Sequence, residues 1–96
     1  MQIQLYLNAI NKICNQEDIL FLGLFGSNAR GEAKSSSDID ILVDFKETKS
    51  FFELSRIQEK FENIFEKKVD LVLRNSIKDP VKSYIQKDLI TLYEKR

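Results

Sequence analysis

Two short strand patterns with one helical pattern between them leave this chain few ways to fold. Residues 38 to 45 alternate, with Ile39, Ile41 and Val43 on one face and Asp38, Asp40, Leu42 and Asp44 on the other. Residues 69 to 73 alternate likewise, Val69, Leu71 and Leu73 opposing Asp70 and Val72. Between them Leu54, Ile57, Phe61, Ile64 and Phe65 keep helical spacing to about residue 66. A capping box opens that helix, with Ser50 as N-cap and Glu53 at the third helical position. A unit running from 38 to 73 is long enough for a parallel crossover, which sets the starts of its two strands side by side. Asp38 and Asp40 open the first strand and Asp70 lies near the opening of the second. If the two strands pair as parallel neighbours, the Asp38 and Asp40 pair and the distant Asp70 would meet at one edge of the sheet.

The remaining segments fit around this unit. Ile3, Leu7, Ile10 and Cys14 recur on one face of a first helix, which ends in the polar break Asn15-Gln16-Glu17-Asp18. Ile19 to Phe25 is apolar without alternation, as in a strand covered on both faces, and Gly26-Ser27 turns the chain out of it. Asp79-Pro80 supplies an N-cap and a proline at the first helical position. Val81, Tyr84, Ile85, Leu89 and Leu92 then form the inner face of a last helix. The order helix, strand, helical turn, strand, helix, strand, helix describes an α/β (α+β) fold in which helices flank a small mixed three-stranded sheet. Residues 1–96 are expected to form one domain with a single modest core. Arg56, Glu59, Lys60 and Glu62 fall on the outer face of the central helix and are expected to be solvated. Lys82, Lys87, Lys95 and Arg96 make the C-terminal end mildly basic.

Composition removes several classes of chemistry. Fifteen basic and fifteen acidic residues cancel, so bulk charge does not draw this chain to nucleic acid, and no direct nucleic-acid binding is expected. Histidine is absent, which excludes imidazole bases and imidazole metal ligands. The single cysteine, Cys14, forms no internal disulfide and reads as a buried apolar filler, consistent with a reducing compartment. The N-terminus lacks a basic, then apolar, leader, and the run Ile19–Phe25 is too short to span a bilayer. A cytoplasmic location with no membrane association is expected.

The chemistry-bearing residues are Gly26, Ser27 and Arg30, followed by Asp38 and Asp40, then Asp70. A period of two points Asp38 and Asp40 to the same side of their strand. Adjacent carboxylates repel unless a cation lies between them. Mg²⁺ takes a few carboxylates together with water and phosphate oxygens, which such an edge offers. Gly26 lets the backbone approach a ligand closely, and the Ser27 hydroxyl with the N–H groups of the turn suits phosphate oxygens. Arg30 suits either a phosphate or a salt bridge to one of the three acids, and Gly31 serves the turn.

Taken together, Gly-Ser-x-Ala-Arg-Gly, Ser-Asp-x-Asp-Ile-Leu-Val and the Val-Asp-Leu-Val strand resemble the minimal nucleotidyltransferase (MNT) group of the DNA polymerase β-like superfamily. The resemblance runs from about Ile19 to Leu73 and retains all three acids. It implies that Gly26 and Ser27 contact the triphosphate of ATP and that Asp38 and Asp40 bind two Mg²⁺ ions. By the same resemblance Asp70, the third carboxylate, binds one metal and helps to take the proton of the attacking hydroxyl. Small members of this group are commonly antitoxins encoded beside HEPN-domain proteins, and they transfer AMP from ATP to a tyrosine of that partner. The expected activity is therefore Mg²⁺-dependent protein adenylylation within a hetero-oligomer with a HEPN toxin. Larger transferases of the superfamily carry an extra domain for the acceptor, which agrees with an acceptor presented by another macromolecule. The alternatives are a binding-only antitoxin that occludes its partner, and adenylylation of a small molecule.

Overall fold

The computed structural model describes residues 3–34 and 36–95. Met1, Gln2 and Ser35 lie outside these, as does Arg96, read above as part of the basic C-terminal end. The elements are α1 (Leu7–Gln16), β1 (Ile19–Phe25), α2 (Ser27–Arg30), β2 (Ile39–Phe45), α3 (Phe51–Phe65), β3 (Val69–Leu73), α4 (Val81–Asp88) and β4 (Ile90–Glu94). Short 3₁₀ turns precede α1 at Ile3–Leu5 and follow β3 at Arg74–Ser76.

The sheet order is β3-β2-β1-β4, with β2 and β3 parallel and β1 antiparallel to both β2 and β4. The mixed α/β architecture holds as expected, but the sheet has four strands rather than three. The last helix stops at Asp88, and Ile90–Glu94 pairs along β1. Leu92 is thus a buried strand residue, not part of a helical face. A second correction concerns the start of α4: Pro80 itself occupies the N-cap position and Val81 is the first helical residue, with Asp79 one step further out.

The two faces of the sheet are unequal. One carries the main core, where Leu22, Leu24, Ile39, Ile41, Val43 and Val69 meet Ile10 and Cys14 of α1 and Ile57, Phe61 and Phe65 of α3. Burying side chains of this size is worth about 1.5–3 kcal/mol each. The other face carries only Phe21, Leu42 and Ile85, bordered by Phe25, Val72, Ile77 and Leu89. Here α4 covers part of the sheet and leaves the adjoining ends of β1, β2 and β3 accessible. The alternation in β2 produces this division, sending Ile39, Ile41 and Val43 to the main core and Asp40 and Leu42 to the thin one.

The capping box forms as the spacing requires: Glu53 N donates to Ser50 Oγ at 3.2 Å, and Ser50 N donates to Glu53 Oε1 at 3.1 Å. On the outer face of α3, Arg56 and Glu59 are exposed as expected, whereas Lys60 and Glu62 are half-buried. Glu17, only 6% exposed, receives Arg56 Nη2 at 3.0 Å and Lys60 Nζ at 2.7 Å. Glu62 Oε2 accepts from Val69 N at 3.0 Å, and Gln58 Nε2 donates to Val69 O at 2.8 Å, which fixes the start of β3 against α3. Burial raises the carboxyl of Glu17, but the Lys60 hydrogen bond and the charges of Lys60, Arg56 and Lys49 outweigh it and hold the group below its ordinary 4.5.

Candidate active site

The strand register assembles the site. In the parallel pair Asp40 lies opposite Asp70, and in the antiparallel pair it lies opposite Phe25, the last residue of β1. Asp40 is therefore flanked by Asp70 on one side and by the exit of β1 into Gly26 on the other. Asp38 stands two residues before it, exposed at the approach to β2. The structure brings Gly26, Ser27, Asp40 and Asp70 to the thin face of the sheet, beside α4.

Gly26 is the tightest element of this arrangement. It adopts φ 77° and ψ −157°, a region that only glycine occupies readily, and a Cβ built on it runs into Oδ2 of Asp40. Gly26 is also the N-cap of α2, and no side chain caps that turn. Ser27 is therefore the first helical residue rather than a cap, which leaves its hydroxyl for another partner.

A residue that sequence reasoning passed over holds the backbone at Asp38. Asn28, 7% exposed, donates from Nδ2 to the backbone carbonyl of Asp38 at 3.0 Å, tying α2 to the start of β2. A polar side chain between Ser27 and Ala29 carried no spacing signal, and its partner lies ten residues away. Arg30 pairs with neither Asp38, Asp40 nor Asp70. Its Nη1 meets Asp88 Oδ2 of α4 at 3.1 Å, and its Nε meets the Glu32 carboxylate at 3.2 and 3.3 Å. This bridge fastens α4 to α2 across the site.

Electrostatics mark Asp40 as the centre of the group. Its carboxyl is raised above its ordinary value, first by burial, then by the charges of Asp70 and Asp38, with Arg30 opposing weakly. Mutual repulsion of this kind is what a bound cation relieves. Among the described residues no three carboxylates enclose an ion on their own. The donors fit a cation that Asp40 and Asp70 or Asp38 hold in part, with water and phosphate oxygens completing the shell, as Mg²⁺ prefers.

Two clefts meet at Asp40 and Ile85. One, of about 360 Å³, is lined by Gly26, Ser27, Arg30, Tyr84 and Asp88. The other, of about 750 Å³, is lined by Asp70, Val72, Ile77, Lys78 and Val81. The face of α4 read as a buried stripe thus has a different use: Ile85 is buried, whereas Val81 and Tyr84 are exposed because they overlook the two clefts.

A further cavity, of about 330 Å³, lies at the far end of β2 between Lys46, Lys49 and Arg74 and contains none of these residues. Among the described residues no helix is long and apolar enough to cross a membrane.

The chain is similar to several known proteins. A protein adenylyltransferase, MntA, of Thermococcus cleftensis is 39% identical over 69 residues, covering 72% of this chain and 70% of its own length. Among solved structures, a toxin–antitoxin complex with AMP-PNP superposes with a TM-score of 0.78 at 24% identity, over 94% of this chain and 74% of that one. A complex of a tri-AMPylated Shewanella oneidensis HEPN toxin with its MNT antitoxin gives 0.73 at 23% identity, over 98% of this chain and 74% of the other. The structural likenesses establish the shared fold, and the sequence relationship goes further. Residues 8–96 match the family described as polymerase beta, nucleotidyltransferase, and the chain belongs to that family of nucleotidyl-transferring enzymes.

Proposed function

We propose that this chain transfers AMP from ATP to a tyrosine hydroxyl of a HEPN-domain toxin and acts as its antitoxin. The observation that carries this is the pairing of Asp40 with Asp70 directly beside the Gly26-Ser27 turn. The relative named a protein adenylyltransferase, and the AMPylated HEPN toxin found with an MNT antitoxin, support the choice of donor and partner.

The two clefts divide the work. The triphosphate lies along Gly26, Ser27 and Arg30, and the acceptor hydroxyl enters from the side of Asp70. Asp38, Asp40 and Asp70 would hold Mg²⁺, two ions in all, which when bound supply positive charge to the phosphate oxygens and make the hydroxyl more acidic. The hydroxyl oxygen forms a bond to the α-phosphorus in line with the bond to the bridging oxygen, which breaks to release pyrophosphate. Asp70 accepts the hydroxyl proton, a role open to it because it is the exposed member of the pair. Asp40, repelled by both neighbours, gains most from a cation. Asn28 keeps Asp38 in register with it. The chain's 96 residues are read as one domain, acting where its partner is made, in the cytoplasm.

The test is label transfer. With Mg²⁺ and ATP labelled at the α-phosphate, the chain should label a HEPN protein encoded beside it, and mass analysis should find AMP on a tyrosine. Label recovered on no protein, with the HEPN protein present and folded, overturns the proposal.

A further inference from the structure

We propose that Tyr84 is the platform on which the base of the bound nucleotide stacks. This rests on the nucleotide-binding reading above and names the part of the site that holds the nucleoside.

The position of the ring is set by its neighbours on α4. Val81, Tyr84, Ile85 and Asp88 occupy one helical face, at steps of three, one and three residues. Ile85 anchors this face in the thin core with Phe21 and Leu42. Asp88, one turn beyond Tyr84, is tied to Arg30 of α2 at 3.1 Å. Both anchors follow the tyrosine in the helix, so they hold the turn after it close to the turn that starts with Ser27.

The ring itself is not spent on packing. It is 72% exposed while lining the same cleft as Gly26, Ser27 and Asp40. Its i+1 neighbour Ile85 is buried, so the helix had an apolar residue available for the core and directs the tyrosine into the cleft instead. Phe25 also borders this cleft but packs against the thin core, which leaves Tyr84 as the lining aromatic with an open face. A nucleotide whose phosphates lie at Gly26-Ser27 must extend its nucleoside along the cleft wall. One wall is the sheet end with Asp40, the other is α4. An aromatic ring there offers a π-face to any base, the interaction that single-stranded nucleic-acid binders use as a tolerant platform.

The experiment is calorimetric titration of the full chain with ATP and, separately, with inorganic triphosphate, both with Mg²⁺. Triphosphate probes the phosphate contacts without a base. Tyr84→Ala should weaken ATP binding roughly tenfold, within the range of alanine substitutions of stacking aromatics, and leave triphosphate binding unchanged. Tyr84→Phe, which keeps the ring, should bind ATP as the wild type does. The inference is overturned if Tyr84→Ala binds ATP normally, if it loses ATP and triphosphate alike, or if Tyr84→Phe is as weak as Tyr84→Ala. A wild-type chain that binds neither probe would remove the nucleotide-binding reading itself, and this inference with it.

Discussion

Gly26 stands against Asp40 so closely that the glycine has no space for a side chain, and its backbone lies where only glycine is at ease. The Gly26-Ser27 turn and the Asp40 carboxylate are thereby one structural unit. Gly26→Ala should cost about 1–3 kcal/mol from the backbone alone and also displace the Asp40 carboxylate, abolishing transfer. Gly31 has a similar φ of 74° but nothing within 4 Å of a built Cβ. Gly31→Ala should cost about 1 kcal/mol and leave transfer in place. Thermal melts beside a transfer assay separate the two.

The raised carboxyl of Asp40 makes a stability prediction with a definite sign. A group held above its unfolded value destabilises the fold wherever it is ionised, and the penalty vanishes once pH falls below that unfolded value. Asp40→Asn should therefore raise the melting temperature of the metal-free protein at neutral pH, with the gain shrinking toward acid pH. Added Mg²⁺ should raise the wild-type melting temperature and move that of Asp40→Asn much less.

Glu17 behaves in the opposite sense. Its carboxyl is lowered in the fold, so the stability it contributes is complete above the ordinary carboxylate value and is lost as pH falls through the folded one. Glu17→Gln should destabilise the protein by about 1–3 kcal/mol at neutral pH, as it removes charge-assisted bonds to Arg56 and Lys60. Part of the acid-side loss of stability should disappear in this variant. Urea melts at several pH values give the comparison.

Cys14 is 1% exposed and burial pushes its thiol up to about 12. It should resist thiol reagents in the native state and react only as the protein unfolds, a prediction checked by reagent kinetics with and without denaturant.

The parts legible in the sequence are those set by local pattern. The bounds of β1, the capping box of α3 and the parallel pairing that joins Asp40 to Asp70 follow from apolar runs, a period of two and a crossover of sufficient length. β4 was hidden because Ile85, Leu89 and Leu92 are spaced four and three apart and continue the helical stripe of α4. Only the β-favouring Ile90-Thr91-Leu92-Tyr93 argued otherwise, and a five-residue strand is too short for alternation to prevail. The Arg30–Asp88 bridge spans 58 residues and the Glu17 cluster about 40, so tertiary structure alone creates them. The apolar face of α4 was visible, but a stripe that lines a cleft looks in sequence like one that lines a core.

If the group around Asp40 performs the transfer, removing the charge of this one carboxylate stops it. Wild type and Asp40→Asn, both confirmed folded, are given α-labelled ATP at saturating Mg²⁺ together with the HEPN protein proposed above as acceptor. Labelling is expected from the wild type and none above background from Asp40→Asn, despite a melting temperature at least as high. Turnover retained by Asp40→Asn would contradict it and move the chemistry elsewhere in the molecule.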